Sequence, residues 1–365
     1  MNTILNQYAK LLVNYCLELK KGEKLLIRST TLAEPLIREI YRETLAVGAI
    51  PDTIISFREQ NRLLLSMGNE EQLAYISPLY KKAIETYDAF LHIRAPFNLK
   101  EDQNAPANNL KFRQQALQSL SDTYFKRTGT KDLKRSLCQY PTLANAQAAD
   151  MSLEEYEKFV FGACKLFEKD PIASWVEVRH NQQHIVDKLS QATVFRYTTE
   201  GTDISFNTTG RTWMNSDGQT NMPSGEVYTS PVEDSVNGVI HFSYPAIYQG
   251  HEVEEVTLWV KNGFVEKWEA KKGKEFLDHI FSIKGARRFG EAAIGTNYSI
   301  DKLTKNILFD EKIGGTVHMA IGQSYLQAGG KNVSAVHWDM ITDMTKEGLI
   351  YADDEVIYEK GRFIF

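Results

Sequence analysis

The sequence predicts an α/β N-terminal domain built on a mostly parallel sheet, followed by a β-rich α+β C-terminal domain. Three observations lead there. A chain of 365 residues is too long for one small core and favours two domains. Its first half alternates short apolar runs with amphipathic stretches of helical period, which implies right-handed crossovers between parallel, covered strands. Near residue 190 the texture changes to β-branched and aromatic segments separated by turn residues, so the domains are placed at 1–190 and 191–365.

In order, Ile4, Leu5, Tyr8, Leu11, Leu12, Tyr15 and Cys16 recur at helical spacing and predict an opening amphipathic helix that Gly22 helps to end. Strands are expected at Lys24–Ile27, Thr53–Phe57 and Ala89–Ile93, with helices over Thr31–Val47 and much of Gln60–Tyr87. A polar loop near Asn98–Asn109 leads to a helix over Leu110–Lys126 and a further strand within Leu133–Tyr140. Two more helical stretches, Ser152–Leu166 and Ile172–Leu189, close this half or bridge to the next. No GxGxxG or Walker sequence follows the early strands, so the usual phosphate cradle is missing. In the second half ATVFRYTT, TDISFNTT, VNGVIHFS, VEEVTLWV and GFVEKWEA read as antiparallel strands. Gly201, Asn262-Gly263 and Lys360-Gly361 mark hairpins, and Glu275–Ile283 an inserted helix.

Composition narrows the class. A net charge of −5 and a pI near 6.0 give no global attraction to nucleic acid or to an anionic membrane. The basic residues between Lys111 and Arg135 are broken by Asp122 and Asp132 and read as a solvated face. The opening MNTILNQYAK has neither a basic nor an apolar signal region, and no run of 18 apolar residues occurs. Cys16, Cys138 and Cys164 are widely spaced and odd in number, as expected of reduced thiols in a cytoplasmic protein.

The stretch His318–Asp339 gathers two of the eight histidines with a tyrosine and an aspartate. If SAVHWDMI is a strand, its period of two puts His337 and Asp339 on one face and Trp338 on the other. An imidazole and a carboxylate about 7 Å apart on one face can converge on a metal ion. Glu226 and Glu291 each follow a glycine in loops rich in polar residues; taken singly, each reads as an exposed carboxylate, and His318 as a satisfied core histidine. Tyr325 taken alone is a packed aromatic. Together, three carboxylates and two imidazoles suit zinc, cobalt or manganese. Five ligands exceed what one catalytic zinc takes, so two ions fit better, with one carboxylate bridging and a shared position left for hydroxide.

The motifs NMPSGEVYTSPVEDSVNG, RRFGEAAIGTN, VHMAIG and SAVHWDMI, in that order, closely resemble the thermophilic-aminopeptidase family of metallopeptidases, the aminopeptidase T and aminopeptidase S enzymes. The resemblance spans the C-terminal half motif by motif and the N-terminal half in its α/β texture. It implies a cytoplasmic, homodimeric exopeptidase that removes N-terminal residues from peptides with a pair of divalent metal ions, and so a metal-binding, catalytic C-terminal domain. By matching motif it implies that Glu226, Glu291, His318, His337 and Asp339 are the metal ligands and that Tyr325 sits at the metal centre. A neutral phenol suits Tyr325 to stabilising an oxyanion. Glu226 or Glu291 is the expected general base, and Glu233 and Asp234 are candidate anchors for the substrate's ammonium. Segment LQAGGKNVSAV, between Tyr325 and His337, is shorter than expected for some relatives, which bears on substrate contacts nearby. The competing readings are another dinuclear amidohydrolase or carboxypeptidase, and a metal-stabilised binding protein without turnover.

Overall fold

A computed structural model describes residues 2–365. The chain divides by packing into two compact units. One contains the chain up to Ile172 together with Gly218–Pro223; the other contains Ala173–Asp217 and Ser224–Phe365. The helix Pro171–Leu189 therefore goes almost whole with the second unit, whereas sequence texture changes only where that helix gives way to strands. A short excursion, Gly218–Pro223, returns to the first unit because Asn221–Met222 adds a parallel edge strand there.

The first unit is α/β, as its pattern predicts. Strands β1 (Lys24–Thr30), β2 (Ile50–Ser56), β3 (Ala89–Arg94) and β4 (Lys134–Gln139) are parallel and lie in the order β2-β1-β3-β4, with Asn221–Met222 beyond β4. β1 and β3 start at the expected Lys24 and Ala89 and run on past their expected ends, β2 starts earlier and ends one residue sooner than expected, and β4 falls within Leu133–Tyr140. The opening helix Asn2–Lys10 widens into π-helical turns over Leu11–Cys16, and its apolar side chains are buried from Leu5 onward, with Ile4 half-buried. The expected long helix after β2 is three shorter ones, Gln60–Met67, Glu70–Ala74 and Pro78–Thr86. Asn69 caps the second with a reciprocal Gln72 box, and Pro78 can start the third but could not continue the second. One sheet face packs Leu26 and Phe90 against Ala83, Ile84 and Leu120 of the helices Pro78–Thr86 and Ala107–Gly129. The three cysteines are buried and unbridged.

The second unit is antiparallel. Its eight-stranded sheet includes the hairpins Val194–Thr199/Thr202–Asn207 and Val256–Lys261/Phe264–Glu269. Asn262 and Gly263 both take positive φ, the geometry of a type I′ turn, as do Lys360 and Gly361 in the closing hairpin. A five-stranded sheet orders His337–Asp343, Thr316–Gly322, Phe289–Gly295, Glu226–Thr229 and Met214–Ser216. One of its faces contributes Val227, Ile294, Val317, Met319, Trp338 and Met340 to the main apolar core. Its other face carries the polar residues considered next. Among the described residues, no helix is long and apolar enough to cross a membrane.

Candidate metal centre

Strand register builds the centre. Gly295 pairs with Glu226, Ala320 with both Glu291 and Asp339, Ala293 with both Tyr228 and His318, and Gly322 with His337. Cross-strand partners share a face, so the five predicted ligands all project from the side opposite Trp338. Between them stand only glycine and alanine at Gly295, Ala293, Ala320 and Gly322, leaving the middle of that face open. The motifs FGEAAIG and VHMAIG thus alternate a chemically active side chain with a small one. A larger side chain would also fail on backbone grounds: a Cβ at Gly295 would lie 2.1 Å from the carbonyl oxygen of Ile313.

Two overlapping groups result, Glu226–Glu291–His318 and Glu291–His337–Asp339, each with ligating atoms within 4.8 Å of one another. Glu291 belongs to both. His318 Nε2 lies 3.6 Å from Glu226 Oε2 and 3.6 Å from Glu291 Oε1. His337 Nε2 lies 3.2 Å from Glu291 Oε2 and 3.6 Å from Asp339 Oδ1. One carboxylate therefore turns an oxygen to each imidazole, the disposition a bridging ligand needs. His337 Nδ1 is 2.8 Å from the carbonyl oxygen of Gln323, so it donates there and leaves Nε2 bare toward the cluster. On the far side of the Glu226 strand, Gln182 donates to the Glu226 carbonyl at 3.1 Å and fixes the backbone that carries the carboxylate.

Electrostatics without an ion are frustrated. Burial pushes Glu226 up to about 7 and Asp339 up to about 6. Burial opposes ionisation of Glu291 as well, but the flanking imidazoles of His318 and His337 outweigh it and draw that carboxyl down to about 2. Burial likewise opposes charge on the imidazoles, yet the surrounding carboxylates raise His318 to about 9 and His337 to about 10. Glu226 Oε2, both nitrogens of His318, His337 Nε2 and Asp339 Oδ1 are buried without a hydrogen bond. Buried polar atoms are rarely left so. Three converging carboxylates and two imidazoles, four of the five residues carrying an orphaned buried atom, fit hard or borderline divalent cations.

Tyr325 lies beside the second group, its ring 4.9 Å from that of His337 and edge-on to it. Burial first, then the carboxylates of Glu291 and Asp339, raise its phenol well above the usual range, so it stays protonated. Glu233 is not free to anchor a substrate: its carboxylate pairs with the buried guanidinium of Arg211 at 2.5 Å and accepts the Lys331 N–H at 2.6 Å. Two residues escaped the sequence reading. Lys312 is fully buried, 3.6 Å from Glu226 Oε1, and donates to the carboxylate of Glu311. Burial disfavours its charge, but Glu226 and Glu311 outweigh that and hold the ammonium protonated. Glu311 lies near enough to push Glu226, Asp339 and Tyr325 upward. The signal was the run Asp310-Glu311-Lys312 just before VHMAIG, where Asn306 caps a four-residue helix, Ile307–Asp310, that aims the chain at the site.

An antiparallel sheet whose open face carries two acid–histidine groups sharing one carboxylate defines a centre for two divalent metal ions, of the class that serves hydrolysis. The family follows from comparison: the thermophilic metalloprotease (M29) family model matches residues 1–363, and the chain belongs to that family. Aminopeptidase 2 of Geobacillus stearothermophilus is 27% identical, with 99% of this chain and 98% of that protein covered. Aminopeptidase T of Thermus thermophilus is 29% identical over 55% of each chain. A solved structure of wild-type AmpT from Thermus thermophilus matches with a TM-score of 0.84 over 99% of both chains at 23% identity, so the folds are alike.

Proposed function

We propose that the protein is an aminopeptidase that removes N-terminal residues from peptides, with Glu226, Glu291, His318, His337 and Asp339 as ligands of two divalent ions. The observation that carries this reading is Glu291, which stands in both ligand groups with one oxygen toward each histidine. End-to-end similarity to proteins named aminopeptidases supports the choice of substrate. Zinc, cobalt and manganese all suit the donor set. The homodimer and the cytoplasmic setting belong to the same reading, and light scattering of the purified chain checks the former.

Two cations held here would polarise the scissile carbonyl and acidify a water molecule. The chain's own residues supply the rest. With Glu226 and Glu291 committed as ligands, Glu311 is the carboxylate left to take a proton from that water and pass it to the leaving amine. Lys312 is paired to Glu311 and holds the carboxylate in place. Tyr325, held neutral, donates to the oxygen on which charge develops.

Aminoacyl p-nitroanilides with free and with acetylated N-termini, assayed after loading with zinc, cobalt or manganese, test the proposal. Cleavage of the free substrate alone is expected. Equal cleavage of the acetylated substrate would instead mark a broader amidohydrolase, and cleavage of neither with both ions bound would mark a binding protein.

A further inference from the structure

The sheet face that carries the two ligand groups continues past them. Along one row of register partners, Met214 pairs with Tyr228, Tyr228 with Ala293 and Ala293 with His318, so the four side chains share the open face. Trp213 and Val227, one residue before Met214 and Tyr228, belong to the core on the other side, as a period of two requires. Tyr228 also follows Glu226 by two residues on one strand, which puts both on the same face. Ala293 stands between Tyr228 and His318, whose strands are about 10 Å apart across it. A methyl group at that position leaves a recess between a phenol and a proposed ligand.

Aromatic rings border that recess. The ring of Tyr228 lies 5.2 Å from that of Tyr325, inclined at 56°, and the ring of Tyr325 lies 4.9 Å from that of His337. The three rings therefore run in an arc from the Glu226 strand to the second ligand group. Gln327, in the turn Leu326–Ala328, donates to the Tyr228 hydroxyl at 3.4 Å and so ties this arc to the loop that follows Tyr325. Met214, Tyr228 and Tyr325 are each half-buried, so part of every one of them is presented outward. From Met214 through Tyr228 to Ala293 the row carries no charge. A charged group set against such a surface loses hydration without gaining a partner, whereas an apolar group is stabilised by burial.

We infer that Met214, Tyr228 and Tyr325, standing around Ala293, receive the side chain of the substrate's first residue and select large apolar side chains, leucine or phenylalanine, over charged ones. The pocket rests on the aminopeptidase reading of the centre. In that reading the scissile carbonyl lies between the cations and the Tyr325 hydroxyl, and the first side chain branches from the next carbon along. It must then pass close to the Tyr325 ring, and Tyr228 is the aromatic against which that ring packs. Tyr228 belongs to neither ligand group, so its part is selection and not turnover.

Calorimetric titration of the zinc-loaded full chain tests this with the hydroxamates of leucine, phenylalanine and lysine, whose chelating ends are alike so that only the side chain differs. The leucine and phenylalanine compounds should bind about 10-fold or more tighter than the lysine compound. Tyr228→Ala should remove most of that difference while metal analysis still finds two ions. Tyr228→Phe, which keeps the ring without the hydroxyl, should retain it. Met214→Glu, which adds a partner for a cation, should shift the ratio toward lysine by about 10-fold, a gain that misfolding could not produce. The kcat/KM values of the corresponding p-nitroanilides should follow the same order. Equal affinity for the three hydroxamates, binding of none, a preference for lysine, or an equal loss for all three in Tyr228→Ala would overturn the pocket. So would a change in Tyr228→Ala that follows the second residue of leucyl dipeptide amides instead of the first. Because the hydroxamates report binding alone, failure to cleave any anilide would count against the aminopeptidase reading and not against the pocket.

Discussion

The two central sheets place polar side chains by different rules. In the parallel sheet of the first unit both faces are packed by helices, so polar groups concentrate where strands end, as Arg28, Thr30 and Arg94 do. In the five-stranded antiparallel sheet of the second unit one face is core and the other is open, so the proposed ligands stand in the middle of strands, spaced by two residues. A ligand face can therefore be assembled from short motifs with small residues between them. Polar groups at strand ends are brought together only by the whole topology.

Breaking the ligand face at its shared residue should have the largest effect. Glu291→Gln removes a carboxylate common to both groups, so metal analysis should show both ions lost and hydrolysis at background. If that variant keeps two ions, Glu291 is no bridge and the two groups are independent sites. Next in size is Glu311→Gln, which should leave two ions bound while kcat falls by roughly 10²–10⁴-fold, the usual contribution of a general base. Loss of an ion instead would make Glu311 a sixth ligand and extend the face beyond the sheet.

The smallest effect concerns stability and not turnover. Lys312→Met removes the only partner cation within 4 Å of Glu226 other than the His318 imidazole among the described residues. In chelated protein this should cost about 3–5 kcal/mol, as expected for a buried charge pair that loses one member. Urea denaturation measures it, and the loss should shrink when metal is bound, since divalent cations then satisfy Glu226. An equal loss in both states would mean that Lys312 supports the fold and does not balance the charge of the centre.

Much of this was legible in the residues. Period-two alternation in HWDM placed His337 and Asp339 on one face and Trp338 in the core, because a strand admits only two faces. Asn262-Gly263 and Lys360-Gly361 announced their hairpins because type I′ turns demand positive φ at both positions. Less legible were the breaks inside Gln60–Thr86, where helical periodicity continued across Gly68 and Ser77 and hid three separate helices. Lys312 was missed because a lone lysine among charged neighbours ordinarily faces solvent.

By itself the sequence determined the two textures, the turns and the chemistry of the candidate ligands, since each depends on local backbone preference or on side-chain chemistry a few residues apart. Tertiary structure decided the rest. Only strand pairing could set Glu226 opposite Gly295 and so bring it to Glu291 and His318, residues far apart along the chain. Only packing could bury Lys312 against Glu226 and spend Glu233 on Arg211. These are contacts between distant residues, and the free energy that fixes them comes from burial of the whole core, which no short motif records.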